Sequence, residues 1–114
     1  KFVNNYMTRT LTQKLNNDDL NDDDLLQAME FIRRYVVVGL ANEMEKSIQK
    51  FLEHFGWLHL LDDNKNKCLQ HLANRVNIGP YGFHKGSLEW NWIHTVNRYD
   101  YQLYLYAQYL FTRQ

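Results

Sequence analysis

The residues best suited to chemistry lie in one nine-residue run, GPYGFHKGS at positions 79–87, which holds three of the five glycines and the only proline. Glycines let backbone amides approach an anion closely. Lys85 supplies positive charge, His84 can donate a hydrogen bond, and Ser87 stands where a helix opens, at the end that attracts anions. The run is not a Walker loop, which needs GxxxxGK[ST] after a strand. From composition alone, an ordinary surface connection between two helices is the preferred reading.

Asp100 is the second candidate. It falls on the apolar stripe of Val96, Leu103 and Ala107, where a carboxylate is costly unless paired or bonded to backbone. The simpler reading is an N-terminal cap, with Asn97 and Asp100 spaced as a capping box that restarts the last helix. The alternative is a catalytic acid or base. Tyr99, Tyr101, Tyr104, Tyr106 and Tyr109 crowd the same helix, so some must pack against another layer; a sugar-stacking platform is a secondary option.

Other constellations are weaker. DDLNDDD lacks the central glycine and terminal glutamate of a calcium loop, so a solvated turn with a helix cap is preferred. His54, His59, His71, His84 and His94 show no HExxH spacing. Cys68 is the only cysteine, which rules out an internal disulfide and a cysteine-based zinc site. Its apolar neighbours suggest an inert, partly buried thiol. No metal site is expected, and no catalytic residue is assigned.

The elements that must carry these residues follow from periodicity. The opening KFVNNYMTRTLTQKL has no clean period and reads as irregular. Leu25, Met29 and Ile32 mark a helix near 24–34, with residues 21–24 at its start and Arg33 and Arg34 in its last turn, both favourable to the dipole. Tyr35-Val36-Val37-Val38 is β-branched without alternation, the pattern of a strand covered on both faces. Gly39 ends it. Asn42 and Glu45 fit a capping box for a helix near 42–55, whose stripe is Met44, Ile48, Phe51, Leu52 and Phe55. A short helix follows around residues 67–74, then the glycine-rich loop. Ser87 caps a helix containing Leu88, Trp92, Ile93 and Val96, and a last helix turns Leu103, Tyr106, Ala107 and Leu110 inward.

The expected fold class is therefore α/β: a mostly helical piece with one buried parallel strand near 35–38. Such a strand needs neighbours, and no other segment matches its quality. The chain also opens on Lys1 rather than Met. Both points suggest the C-terminal part of a single larger domain, residues 1–114, without its N-terminal half. Thirteen basic and thirteen acidic residues cancel, which argues against a nucleic-acid polymer as partner. No run of about eighteen apolar residues occurs, so membrane attachment would need an anchor elsewhere in a parent chain.

Three blocks in order resemble the carbohydrate sulfotransferase family that includes heparan sulfate 2-O- and chondroitin-type enzymes. NNYMTRTL (4–11) resembles its asparagine, then threonine-arginine-leucine block. DLLQAMEFIRRYVVVGLANEMEKSIQKFLEHFGW (24–57) resembles its helix, strand, "VVGLTE" turn and helix. NRYDYQLYLYAQYLF (97–111) resembles its "N-x-x-D-x-x-LY" closing helix. Ala41 departs from the family's usual threonine. The resemblance implies a P-loop-like sulfotransferase fold and transfer of a sulfuryl group from 3′-phosphoadenosine 5′-phosphosulfate to a hydroxyl of a glycan, with no metal. It implies a Golgi lumen setting and a membrane-anchored parent. The family's phosphosulfate loop, catalytic base and first 3′-phosphate ligands lie upstream and have no counterpart here, so the segment by itself is expected to be inactive. By the same resemblance the loop before the last helices closes over the nucleotide, which makes Lys85 and Gly86, then His84 and Ser87, the expected cofactor contacts. The competing expectation is a non-catalytic helical protein-interaction module.

Overall fold

The computed structural model describes residues 4–15, 18–74 and 82–114, and every regular element among them is helical. Six α-helices follow in order: α1 (Tyr6–Thr12), α2 (Asp22–Tyr35), α3 (Met44–His54), α4 (Asp63–Asn74), α5 (Leu88–Val96) and α6 (Arg98–Arg113). Short 3-10 turns at Ala41–Glu43 and Leu58–Leu60 precede α3 and α4. The irregular opening expected from sequence is thus a helix, α1. At seven residues it is far too short to persist alone, so its existence rests on what it packs against.

α2 shows how local sequence sets an element. Asn21 Oδ1 accepts the Asp24 N–H at 3.1 Å, and Asp24 Oδ2 accepts the Asn21 N–H at 2.9 Å, a complete capping box. Its inward stripe of Leu25, Ala28 and Ile32 is buried against Tyr99, Leu103, Leu110 and Phe111 of α6. Each large side chain so buried contributes roughly 1.5–3 kcal/mol. Helices α1, α2 and α6 form this core; α3 packs with α4, and α5 with the start of α6.

The α/β expectation is overturned at residues 35–38. No strand is present among the described residues, and Tyr35 is still the last residue of α2. Val36 and Leu40 are extended, but the segment between α2 and α3 joins no ladder. Two side chains stand along one edge, where a neighbouring strand would. Gln114 accepts the Val38 N–H at 2.9 Å and donates to the Val36 carbonyl at 3.0 Å. Ser47 Oγ accepts the Leu40 N–H at 2.8 Å and lies 3.0 Å from the Leu40 carbonyl. Of the three valines only Val38 is buried. Three β-branched residues favour an extended backbone, but a sheet also needs a second strand, and the groups that engage this one come from α3 and the end of α6.

Gly39 has a separate steric role: a Cβ there would lie 2.6 Å from the Phe51 ring and 3.3 Å from the Ser47 Cβ. The capping box expected at Asn42 and Glu45 is also absent. The 3-10 turn leads into α3 with no side-chain cap, because Ser47 already ties the turn down.

Candidate functional site

The loop residues singled out from sequence form a tight turn at the start of α5. The Ser87 N–H donates to the His84 carbonyl at 3.0 Å, and Gly86 closes the turn at φ +91°, a backbone state that favours glycine. Ser87 Oγ accepts the Trp90 N–H at 3.2 Å, and Asn91 Nδ2 donates to the Gly86 carbonyl at 3.3 Å. Ser87 is therefore committed as a helix cap, as its position suggested. His84, Lys85 and Gly86 are exposed, and Lys85 has no ion pair with another described residue. Glu89 in the first turn of α5 puts negative charge beside any anion at this helix end. Gly79, Pro80 and Tyr81 of the same loop lie outside the described residues.

This turn leads into an aromatic cup. A cavity of about 400 Å³ is lined by Phe83 from the turn, Trp90, Ile93 and His94 from α5, and Tyr101 and Tyr104 from α6. His94 stacks on Trp90 with centroids 4.7 Å apart and meets Tyr101 at 4.0 Å. Taken one by one, the five histidines gave no hint of this. The signal available was the i, i+4 pair of Trp90 and His94, which lie on one helix face four residues apart, with Tyr101 one turn into the next helix.

Asp100 and Asn97, both half-buried, also line the cup and belong to a polar knot with the buried Asn5 and Thr8. The capping-box expectation for this pair is corrected, because each helix is capped by the other's residues. Asp100 Oδ2 accepts the Met7 N–H at 2.9 Å, and its Oδ1 accepts the Thr8 N–H at 2.8 Å and the Thr8 hydroxyl at 2.7 Å, so Asp100 caps α1. Asn5 Oδ1 accepts the N–H groups of Tyr99 at 3.0 Å and Asp100 at 3.1 Å, so Asn5 caps α6. Asn97 Oδ1 accepts the Asn5 N–H at 2.8 Å, and Asn5 Nδ2 donates to the Val96 carbonyl at 3.1 Å. Asn5 sits at φ 48°, the left-handed region that asparagine tolerates better than most residues. With three bonds already accepted, Asp100 is poorly placed to act as a catalytic base.

Arg9 is held in the same region. Its guanidinium donates to the Asn4 side chain and to the carbonyls of Asn4, Lys14 and Asp18, which pins the connection out of α1. Lys14 reaches Asp24 at 2.9 Å. The Asn21 backbone N–H, then Lys14, hold the Asp24 carboxyl below its usual 3.8. On the outer face of α2, hydrogen bonds from Arg33 and then Arg34 lower Glu30 to about 2.

Cys68 is exposed rather than partly buried. Among the described residues no three metal-ligating side chains gather, and no helix is long and apolar enough to cross a membrane. Comparison of the chain with protein-family models, curated proteins and solved structures gives no match in any of the three.

Proposed function

We propose that the chain is the C-terminal part of a glycan sulfotransferase and forms one wall of its nucleotide and acceptor site. A single observation carries this reading: the three sequence blocks that resemble the family converge in space. Asn5 and Thr8 of the first block bond to Asn97 and Asp100 of the third. Leu25, Ile32 and Val38 of the second pack with Leu103 and Leu110 of the third. The described residues of the long intervening stretch, 58–74 and 82–96, contribute none of the buried core.

The reaction is an in-line transfer. A glycan hydroxyl oxygen forms a bond to the donor's sulfur, the bond from sulfur to the phosphate oxygen breaks, and the hydroxyl proton passes to a base. 3′-Phosphoadenosine 5′-phosphate leaves with the electron pair. Transfers of this kind rely on positioning and on stabilising charge. The catalytic base and the phosphosulfate loop belong to upstream sequence. Lys85, presented by the Gly86 turn, offers a cation to a phosphate of the donor, with His84 beside it. The cup of Phe83, Trp90 and Tyr101 offers flat apolar faces of the kind that sugar rings stack on. The setting in this reading is the Golgi lumen, with a membrane anchor elsewhere in the parent.

The test uses the full-length protein, incubated with isotope-labelled sulfuryl donor and desulfated heparan or chondroitin. Label should enter the glycan. Lys85→Ala should weaken binding of 3′-phosphoadenosine 5′-phosphate by roughly ten- to a hundredfold in calorimetry, the scale of a hydrogen bond to a charged group, with little change in the acceptor's KM. A wild-type protein that neither transfers sulfate nor binds the nucleotide overturns the reading. Equal affinities for wild type and variant return the loop to a surface connection.

The non-catalytic module remains the second reading, favoured by exposed apolar residues. Leu88 on α5 is 86% exposed, a large apolar side chain left open among the described residues.

A further inference from the structure

In an extended backbone the N–H and C=O of successive residues point to opposite edges. Between α2 and α3 the even-numbered residues face a protein edge: Gln114 engages Val36 and Val38, and Ser47 engages Leu40. The odd-numbered residues face the other way. The main-chain N–H and C=O groups of Val37 and Gly39 have no hydrogen bond to any other described residue. Beside them runs a groove of about 280 Å³ lined by Ile32, Val36, Val37, Leu103, Tyr104 and Ala107. The one ionised group on its wall, Asp100, already has both carboxylate oxygens bonded to α1.

We infer that this edge binds an extended segment of another polypeptide, whose main chain pairs with Val37 and Gly39 and whose alternate side chains, apolar and uncharged, enter the groove. The argument is complementarity of partial charge. Two donor–acceptor pairs two residues apart, roughly 6.5–7 Å, match the repeat of an extended main chain. A helix has no main-chain groups left to offer, and a charged ligand finds no free counter-charge in the groove. Main-chain bonds then give affinity and the groove selects side chains, the pattern of strand addition at an open edge.

The test uses the 114-residue chain and an end-blocked peptide of alternating valine and threonine with one lysine for solubility. The control peptide carries N-methyl groups on the residues that would face the edge, which keeps the side chains and removes the donors. Amide hydrogen exchange by NMR reads the result. The unmodified peptide should slow exchange at Val37 and Gly39 at least about tenfold, and the methylated one should not. Val37→Pro removes one donor while the preceding Val36 already has the extended backbone that proline requires. It should leave the helical circular dichroism unchanged and weaken peptide binding at least about tenfold.

Equal binding of the methylated peptide, or equal binding to the proline variant, overturns the inference. So does the absence of any protection at millimolar peptide. Dimerisation in sedimentation that Val37→Pro abolishes, and that the peptide does not compete away, assigns the edge to a second copy of the chain instead.

Discussion

Helices α1, α2 and α6 are held by bonds between distant parts of the chain, whereas α3, α4 and α5 are held mostly by their neighbours. The first region owns nearly all the buried apolar side chains, the reciprocal caps at Asn5 and Asp100, and the buried Thr8. In the second region α3 buries only Ser47, and α4 and α5 bury no residue among those described. The radius of gyration is 16.9 Å, against about 13 Å for a compact chain of this length. The contrast teaches that one half of the molecule is a finished core and the other a set of amphipathic helices that bury little among the described residues.

The sharpest way to break this comparison is to cut a methylene cluster from each region. Leu103→Ala in α6 should destabilise the chain by about 2–5 kcal/mol, as large-to-small changes in a packed core do. Urea unfolding followed by circular dichroism measures it. A loss under about 1 kcal/mol would mean that the α1–α2–α6 core is no better packed than the periphery.

Asp100→Ala tests the polar half of the same claim. It leaves the Met7 and Thr8 amides without their charged acceptor, and should cost about 1.5–3 kcal/mol. Asp100→Asn keeps one acceptor oxygen and should lose less. Because α1 depends on this cap, its amides should lose exchange protection before those of α2. Simultaneous loss would show that α1 does not lean on Asp100 in particular.

Acid separates a buried pair from a surface one. Asp24 and Glu30 both titrate lower in the folded chain than in the unfolded one. The folded state therefore holds fewer protons, and the stability each contributes is present above the unfolded value and lost as pH falls through the lowered folded one, about 2 for Glu30. Asp24→Asn and Glu30→Gln should each flatten the fall of the urea midpoint over that window. At about 0.5 M salt the Glu30 effect should shrink, because its arginines are exposed, while the Asp24 effect should persist because its carboxylate is buried. Equal salt sensitivity would remove the distinction between the buried and the surface carboxylate of α2.

The smallest effect belongs to α5. Leu88→Ala should change stability by no more than about 0.5 kcal/mol, since the side chain is 86% exposed. A loss near that of Leu103→Ala would mean that α5 is covered in solution by something other than α6.

Much of the helical content is legible in the sequence, because it is set by residues three or four apart. Asn21 and Asp24 bond each other in place, Ser87 caps the helix it precedes, and the stripe of Leu25 and Ile32 points inward as its period requires. The loop at Lys85 and Gly86 is likewise local, and its turn follows from glycine. What sequence reading missed involves partners far along the chain. Asn97 and Asp100 have capping-box spacing, but the amide that Asp100 reaches is on Thr8, 92 residues away. Tyr35 to Val38 have strand composition, but whether such a run joins a sheet depends on what folds beside it. Here that is the Gln114 side chain at the far end of α6. Leu88 and Trp92 have core composition and lie at the surface.

The sequence by itself thus determined where α2 and α5 begin and that Val36 leaves the helix extended, since caps, periodicity and β-branching act within a turn or two of the chain. Only the tertiary structure decided that two helix ends would exchange their caps, that a serine and a glutamine would take the place of a neighbouring strand, and that Val37 and Gly39 would face outward. Those outcomes depend on which groups three-dimensional packing brings within about 3 Å, a distance that position along the chain does not encode.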